Sequence, residues 1–487
     1  MSLINKDFTA RDYTASFERA LIILHADVPE LTDYNHSDAG ISLTRLTCKQ
    51  TDLLNFYVDE AFIENSFPIA EFKQSIINCA SIVDWKPKLA ATAYSTLRLT
   101  RLDSMIGQTV PTSVSQFMKG YRSDGISYVV MSDYDFPAEE NTLDVYIRQG
   151  VVNTVSVTIN NFISDFDNSG RLRYNLGPNV AADSLTLTES VVILGEENIF
   201  EWEEVDSFWR SSDEDRHFML ELYADSYNGV RDTVFLVLGD GEQGVATTQG
   251  TFTITYLTTD GANGNCGSNV ITEIEPAYEA YFTISNPVTA TGGAGAETRD
   301  SFRRRVPQAT RTQRRGLTKY DYKALIETIS GVARCQAVDR NFRDLLPWEY
   351  VSLFVVPEGR GLIPDQLMTS IKTKCGSWGH LGDWNKRYIL FEYAPLIINF
   401  DLRIGLITGA VESTVKTAIN SALQTFFSLE NPLIDLNLEL DFDTIHNTVS
   451  RVSGVSFVEF VKPYSQDITV DIGELPTLGT VTITVVE

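Results

Sequence analysis

The stretch Gly292 to Val338, GGAGAETRDSFRRRVPQATRTQRRGLTKYDYKALIETISGVARCQAV, constrains the fold more than any other part of the chain. It opens as a glycine-rich turn at Gly292, Gly293 and Gly295. It continues as an arginine-rich segment broken by Pro307, which reads as a basic loop. Thr318 then offers an N-cap hydroxyl, with Asp321 three residues on in place of the usual Glu. Tyr322, Leu325 and Ile329 recur at helical spacing and predict a helix over 319–329. Gly331, free to take positive φ, stops it, and Val332 to Val338 alternates as a strand. The stretch holds no nucleophile–base pair and no ligand cluster. It reads as a joint between parts.

Before the joint, the hydrophobic period changes once. Residues 1 to about 90 read as helical. Asp38 can cap a helix carrying Ile41, Leu43, Leu46, Leu53, Leu54, Tyr57, Ala61 and Phe62 in steps of three and four. A second helix carries Phe72, Ile76, Cys79, Ala80 and Val83, and Pro87 follows its end. Helices this few make a poor core alone. They either cap the next domain or offer Leu43, Leu46, Leu53 and Tyr57 as knobs to a partner's helix. From about Tyr94 the period becomes two. YSTLRLTRL, TLDVYIRQG, NTVSVTI, SLTLTESVVIL, DTVFLVLG and GTFTITYL are short alternating runs between turn residues, as in a β barrel or sandwich.

After the joint the pattern is mixed. Helix 319–329, strand 332–338, strand 349–356, helix 364–376 and strand 387–393 form one α/β unit. Strand 396–407, helix 411–427, helix 442–452, strand 455–461 and strand 479–486 form a second. ALIETISGVARCQAV parallels NTVSRVSGVSFVEFV, with Gly331 and Gly454 as matching helix stops. This faint repeat implies two related ferredoxin-like units. The expected class is therefore α+β and multidomain: a helical bundle region at 1–93, a β-rich middle at 94–285, the hinge with a first α/β unit at 286–393, and a second unit at 394–487. The second unit is the expected self-association domain.

Motifs that carry chemistry fail on context. Gly239 to Gly244, GDGEQG, matches GxGxxG after a strand, and Asp260 follows at the right distance. A dinucleotide site needs a helix next, whereas VATTQGTFTITYL is strand-like, so the motif reads as a turn joining two strands. Asp165 to Gly170 resembles the start of a calcium loop, but Leu176 stands where a bidentate Glu belongs. The histidines lie far apart without ligand spacing, and GxSxG is missing. No catalytic residue, metal site or cofactor is expected. Trp202, Phe208 and Trp209 read as partly buried aromatics, with carbohydrate contact the weaker reading.

Charge decides what the arginines face. The chain of 487 residues has a net charge of −26, which repels polyanions such as nucleic acid and anionic membrane. Arg303, Arg304, Arg305, Arg314 and Arg315 are therefore expected to dock on acidic protein rather than on phosphate, the alternative being a solvated loop without a partner. No apolar run approaches the ~20 residues of a membrane span, and the N-terminus, MSLINKDFTARDY, lacks a signal core. Cys48, Cys79, Cys266, Cys335 and Cys375 are scattered, odd in number and read as reduced thiols.

The order of these residues resembles the baseplate J-like family, the baseplate wedge proteins of contractile-tailed bacteriophages and related injection systems. In the joint the resemblance rests on Gly292-Gly293, Glu297, Arg303 to Arg305, Pro307, Arg315, Thr318, Asp321-Tyr322 and Gly331-Val332. In the β region it rests on Phe235, Gly239-Asp240-Gly241, Gly244, Gly250, Tyr256, Gly261 and Gly264-Asn265. At the N-terminus it rests on DAGISLTRLTCKQTDLLNFYVDEAFIENSF and DWKPKLAATAYSTLRL. It covers most of the chain and is thinnest between about residues 100 and 200.

The resemblance implies a non-enzymatic subunit made in the host cytoplasm and built into the virion's tail baseplate. It implies a ring around the central hub that relays rearrangement to the sheath. The helical region would bundle with other wedge subunits and the sheath initiator through Leu43, Leu46, Leu53, Leu54, Tyr57 and Phe62. A second copy would join through the C-terminal domains, and Gly292 and Gly293 would mark the hinge. The alternative is a receptor- or glycan-binding tail protein, carried by the β-rich middle and its aromatics.

Overall fold

The computed structural model describes residues 12–30, 33–35, 38–102, 113–136, 140–164, 171–193, 196–224, 232–246, 250–313, 315–338, 350–377, 387–463 and 466–486. They fall into two compact units, one within Met1–Lys86 and Ala224–Arg231, the other within Pro87–Tyr223 and Asp232–Glu487.

The first unit is helical: α1 (Tyr13–Asp27), α2 (Ala39–Glu64) and α3 (Lys73–Ser81). Asp12 caps α1 by accepting from the Ala15 N–H, and Asp38 caps α2 by accepting from Gly40 and Ile41. Phe72 cannot cap α3. The carboxylate of Glu64, at the end of α2, instead accepts from the N–H groups of Glu71 and Phe72 at 2.8 and 3.1 Å. That contact fixes the turn between the two helices. Ile41, Cys48, Ile63, Ile76 and Ala80 are buried.

The second unit begins with two β sheets. Its strands are β1 (Tyr94–Arg101), β2 (Ser113–Val114), β3 (Lys119–Arg122), β4 (Ser127–Val130), β5 (Tyr134–Asp135), β6 (Thr142–Gln149), β7 (Val151–Thr158), β8 (Ile163–Ser164) and β9 (Leu172–Pro178). They continue with β10 (Thr186–Ile193), β11 (Glu196–Glu204), β12 (His217–Tyr223), β13 (Thr233–Leu238), β14 (Thr251–Thr258), β15 (Ile271–Ile274) and β16 (Phe282–Ser285). One sheet has the order β15-β3-β4-β6-β1-β16, the other β7-β14-β10-β11-β12-β13-β9-β8. The second sheet is inserted in sequence between β6 and β15, so the first is discontinuous.

Both sheets curl. Buried Asn286, just past β16, accepts from the N–H groups of Val270 and Ile271 at the opposite edge of the six-stranded sheet. In the eight-stranded sheet β7 runs through one turn, Ile159–Asn161, into β8 at the far edge. The first core is built on Leu97, Leu99, Tyr128, Val145, Ile147 and Phe282. In the second sheet Leu187, Trp202, Phe252 and Ile254 turn inward. Glu189 is buried there too, and its carboxylate accepts from the Trp202 indole at 3.2 Å.

The C-terminal part holds α4 (Arg299–Thr312), α5 (Lys319–Ile326), β17 (Val332–Val338), β18 (Tyr350–Pro357), α6 (Asp365–Ser377) and β19 (Arg387–Glu392). It ends with β20 (Ala394–Leu406), α7 (Glu412–Phe426), α8 (Phe442–Ser450), β21 (Val455–Lys462) and β22 (Glu474–Val485). The sheets are ordered β17-β18-β19 and β21-β20-β22. In each, the central strand is antiparallel to one neighbour and parallel to the other.

The repeat seen in the sequence is physical. Gly331 and Gly454 take φ of +87° and +96°, where a side chain would be strained. The carbonyl of each accepts an N–H from just past the central strand, from Glu358 and Ile407 respectively. The chain order differs: α5 and β17 precede their central strand, whereas α8 and β21 follow theirs. Neither sheet shows the fourth strand of a ferredoxin-like unit among the described residues. Nor are the two units separate, because Val338, Phe354 and Val356 pack into the core built by Phe400, Ile419, Leu423 and Ile445.

Candidate assembly interface

The joint is more tightly built than a tether. Tyr94 and Thr291 exchange backbone hydrogen bonds, as do Ala91 and Ala294. The side-chain amide of Asn265 closes both bonds of Gly293, accepting from its N–H at 2.9 Å and donating to its carbonyl at 2.8 Å. A Cβ on Gly293 would sit 2.5 Å from the Gly261 carbonyl, so only glycine fits there.

The arginine-rich segment is a helix, correcting the loop expected from its composition. Thr298 caps α4, and Pro307 lies inside it. An interior proline costs about 3 kcal/mol. Burial of Phe302, Val306 and Ala309 on one face offsets that cost.

Arg305 is on the same inward face, which corrects its reading as a contact to another subunit. Its Nε and Nη2 donate to the two carboxylate oxygens of Glu297 at 2.9 and 2.7 Å. The Lys88 N–H donates to the same carboxylate at 3.0 Å, and Lys88 Nζ donates to the Val332 carbonyl at 2.9 Å. Burial pushes the Glu297 carboxyl up, yet Arg305 and Lys88 hold it below the ordinary carboxylate value. This buried set ties the start of the unit, α4 and β17 together. Arg303 is half-buried, Arg304 and Arg315 are exposed, and Arg314 lies outside the described residues.

Two basic residues that the sequence reading passed over bind the joint to the last part of the chain. Arg334 in β17 donates to the carbonyls of Leu429, Asn431 and Ile434. Lys323 in α5 pairs with Asp435 and lies 3.8 Å from Glu327. Burial pulls the Lys323 ammonium down, and the two carboxylates more than restore it. Single residues carry these contacts, so no periodicity announces them.

The helical unit presents the other surface. Leu43, Leu46, Leu53, Leu54, Tyr57 and Phe62 are each more than half exposed. Phe56 and Val58 are exposed as well, so α2 is apolar well beyond the stripe that buries Ile41 and Cys48. All six residues expected at a partner interface are thus brought to one exposed helix. A run of large apolar side chains facing water marks an interaction surface.

Sites with chemistry do not assemble from the sequence motifs. Gly239 to Gly244 is a turn between β13 and β14, with the Asp240 carboxylate accepting from the N–H groups of Glu242 and Gln243. No phosphate-binding helix start is present there. The calcium-like run at 165–170 lies outside the described residues. Trp202 and Phe208 are buried, whereas Trp209 is 67 % exposed. His217 Nδ1 lies 2.8 Å from Ser211 Oγ, and its Nε2 lies 3.9 Å from Glu203, whose side chain is 82 % exposed. That carboxylate is solvated and too distant to orient the ring as a catalytic partner does. Among the described residues no group of three or more His, Cys, Asp or Glu is placed to hold a metal ion. No described helix is long and apolar enough to cross a membrane.

Comparison with known proteins bears on the last unit. Residues 398–484, which run from within β20 almost to the end of β22, match the family described as the baseplate J-like protein C-terminal domain. Over these residues the chain is similar to the C-terminal domain of baseplate J-like proteins. The match thus takes in α7, α8 and β21 whole and most of β20 and β22. A solved structure titled "Cryo-EM structure of the anti-feeding prophage (AFP) baseplate, 6-fold symmetrised" aligns with 94 % of this chain and 90 % of its own, at 10 % identity and a TM-score of 0.33. No curated protein matches the chain.

Proposed function

We propose that this chain is a structural subunit of a contractile tail baseplate, a wedge component of the ring around the central hub that relays rearrangement to the sheath. The observation that carries the reading is the baseplate J-like C-terminal domain at residues 398–484. The apolar face of α2 supports it, since Leu43, Leu46, Leu53, Leu54, Tyr57 and Phe62 suit a helical bundle with other wedge subunits and the sheath initiator. The working parts are the bundle region at 1–93, the β-rich middle at 94–285, the joint with its first α/β unit at 286–393, and the last unit at 394–487. A second copy joins through the C-terminal units. Arg303, Arg304 and Arg315 face a neighbouring acidic surface. Synthesis takes place in the host cytoplasm and the working location is the tail baseplate of the virion. The role is mechanical, and no covalent step is assigned to any residue.

Co-expression with the neighbouring tail proteins, followed by sizing chromatography, tests this. The full chain is expected to co-elute with them. A form lacking residues 1–86 is expected to fold and elute alone. The cut falls after Lys86 because Lys88 belongs to the buried ionic set. A full chain that elutes as a lone monomer and binds glycan instead would overturn the proposal in favour of a receptor-binding role.

A further inference from the structure

We propose that the exposed arginine face of α4 docks on the acidic outer face of β11 in a second copy of this chain. This rests on the reading of the chain as a ring-forming structural subunit and names one contact of that ring.

The donor face is set by the helix. Phe302, Arg305, Val306, Ala309 and Thr312 face inward, which leaves Arg304, Arg311 and, just past the helix end, Arg315 exposed. Arg305 is spent on Glu297 inside the fold. Arg304, Arg311 and Arg315 form no ion pair within the chain among the described residues. They are cations left outward on a molecule whose net charge is −26.

The acceptor face is set by the strand. Glu197, Glu201 and Glu203 share one parity of β11 and are exposed. Glu197 stands opposite exposed Val192 and accepts from the Ser190 hydroxyl at 2.6 Å, and Glu203 stands opposite His217. Glu201 stands opposite Thr188, which stands opposite Thr253, which stands opposite Ser156. Thr158, Ser190, Thr251, Thr154, Thr186 and Thr255 continue the same carpet. On β10, β14 and β7 this face carries no Lys or Arg, and at its other side His217 Nε2 lies 3.9 Å from Glu203. Arg216 stacks over Phe200 at 3.8 Å and points to buried Glu189.

The spacings agree. Arg304 and Arg311 are two turns apart, about 10 Å along a helix at ~1.5 Å per residue. Glu197 and Glu201 are about 14 Å apart along a strand at ~3.4 Å per residue, a difference that long side chains absorb. The overall negative charge disfavours nucleic acid as occupant. It does not prevent contact between copies, because the field is screened within roughly 8–10 Å at moderate salt. The two faces differ, so the contact is heterologous, and repetition closes a ring or extends a filament.

The test uses three full-length proteins: the parent, an Arg304→Glu/Arg311→Glu/Arg315→Glu form, and a Glu197→Lys/Glu201→Lys/Glu203→Lys form. Sedimentation velocity follows self-association, with circular dichroism as the folding check. The parent is expected to self-associate, and each reversed form to do so about tenfold more weakly or worse. An equal mixture of the two reversed forms is expected to recover association, since each then meets its opposite charge. A parent that stays monomeric, or a mixture that fails to recover, overturns the contact. Loss on reversing α4 but not β11 also overturns it, and points to a different acidic face of the second copy. The same forms are assayed for capture of the neighbouring tail proteins. Capture without self-association would sink this contact alone, whereas loss of capture by the parent would sink the baseplate reading.

Discussion

Glu297 is the residue on which the joint turns. It accepts from Arg305, Lys88 and the Ser301 hydroxyl, and its side chain is 3 % exposed. Replacing Glu297 with Gln would leave the buried Arg305 guanidinium without its counter-ion, a change that costs about 3–5 kcal/mol. The pH dependence has a fixed sign. The folded carboxyl lies below its ordinary value despite burial, so its contribution is full above the unfolded pKa and is lost as pH falls through the folded one. Unfolding free energies from urea titrations of parent and Glu297→Gln should therefore differ by that amount near neutral pH and converge in acid. A gap that stays constant with pH would contradict the ion-pair account. Burial raises the carboxyls of Glu327 and Glu358, which act in the opposite sense in both proteins and cancel in the comparison. At this scale the sequence was partly legible. Thr318 and Asp321 form the reciprocal cap that their spacing announces. Arg305 could not be told from its exposed neighbours, because only a helix puts it on the face of Phe302, Val306 and Ala309.

At the scale of elements, periodicity was readable and breakers misled. The α2 stripe, the alternating strands and the helix–Gly–strand repeat all followed from spacing. In α4 the arginines and Pro307 outweigh the apolar steps Phe302, Val306 and Ala309, so the sequence reads as a loop where the structure has a helix. The structure sharpens the prediction for α2. Leu46→Asn and Leu53→Asn alter exposed positions, so stability should change by no more than about 0.5 kcal/mol. Capture of the helical partners should nevertheless be lost. Ile41→Ala, at a fully buried position of the same helix, should cost about 2–5 kcal/mol. Thermal melts read beside a pull-down separate the two classes. Leucine variants that melt early, or that still capture partners, would mean the exposed face is not the docking face.

For the whole molecule, the least legible features are those set by long-range pairing. Alternation identified the β-rich middle but could not divide it into two curled sheets, one inserted in the other, because alternation carries no register between distant strands. The shared core of the two C-terminal units was hidden for the same reason. These features give one dense body from Pro87 onward, with α4 and β17 pinned into it through Glu297, Lys88 and Arg334. Such a body suits load transfer, and the charged and apolar surfaces left outside are where partners would attach under the proposed function. Electron cryo-microscopy of the intact particle tests this most directly. The account predicts density for this chain in the tail baseplate, with α2 inside a bundle of helices from other subunits. Density for it in a fibre tip or the head, or its absence from the particle, would contradict the account.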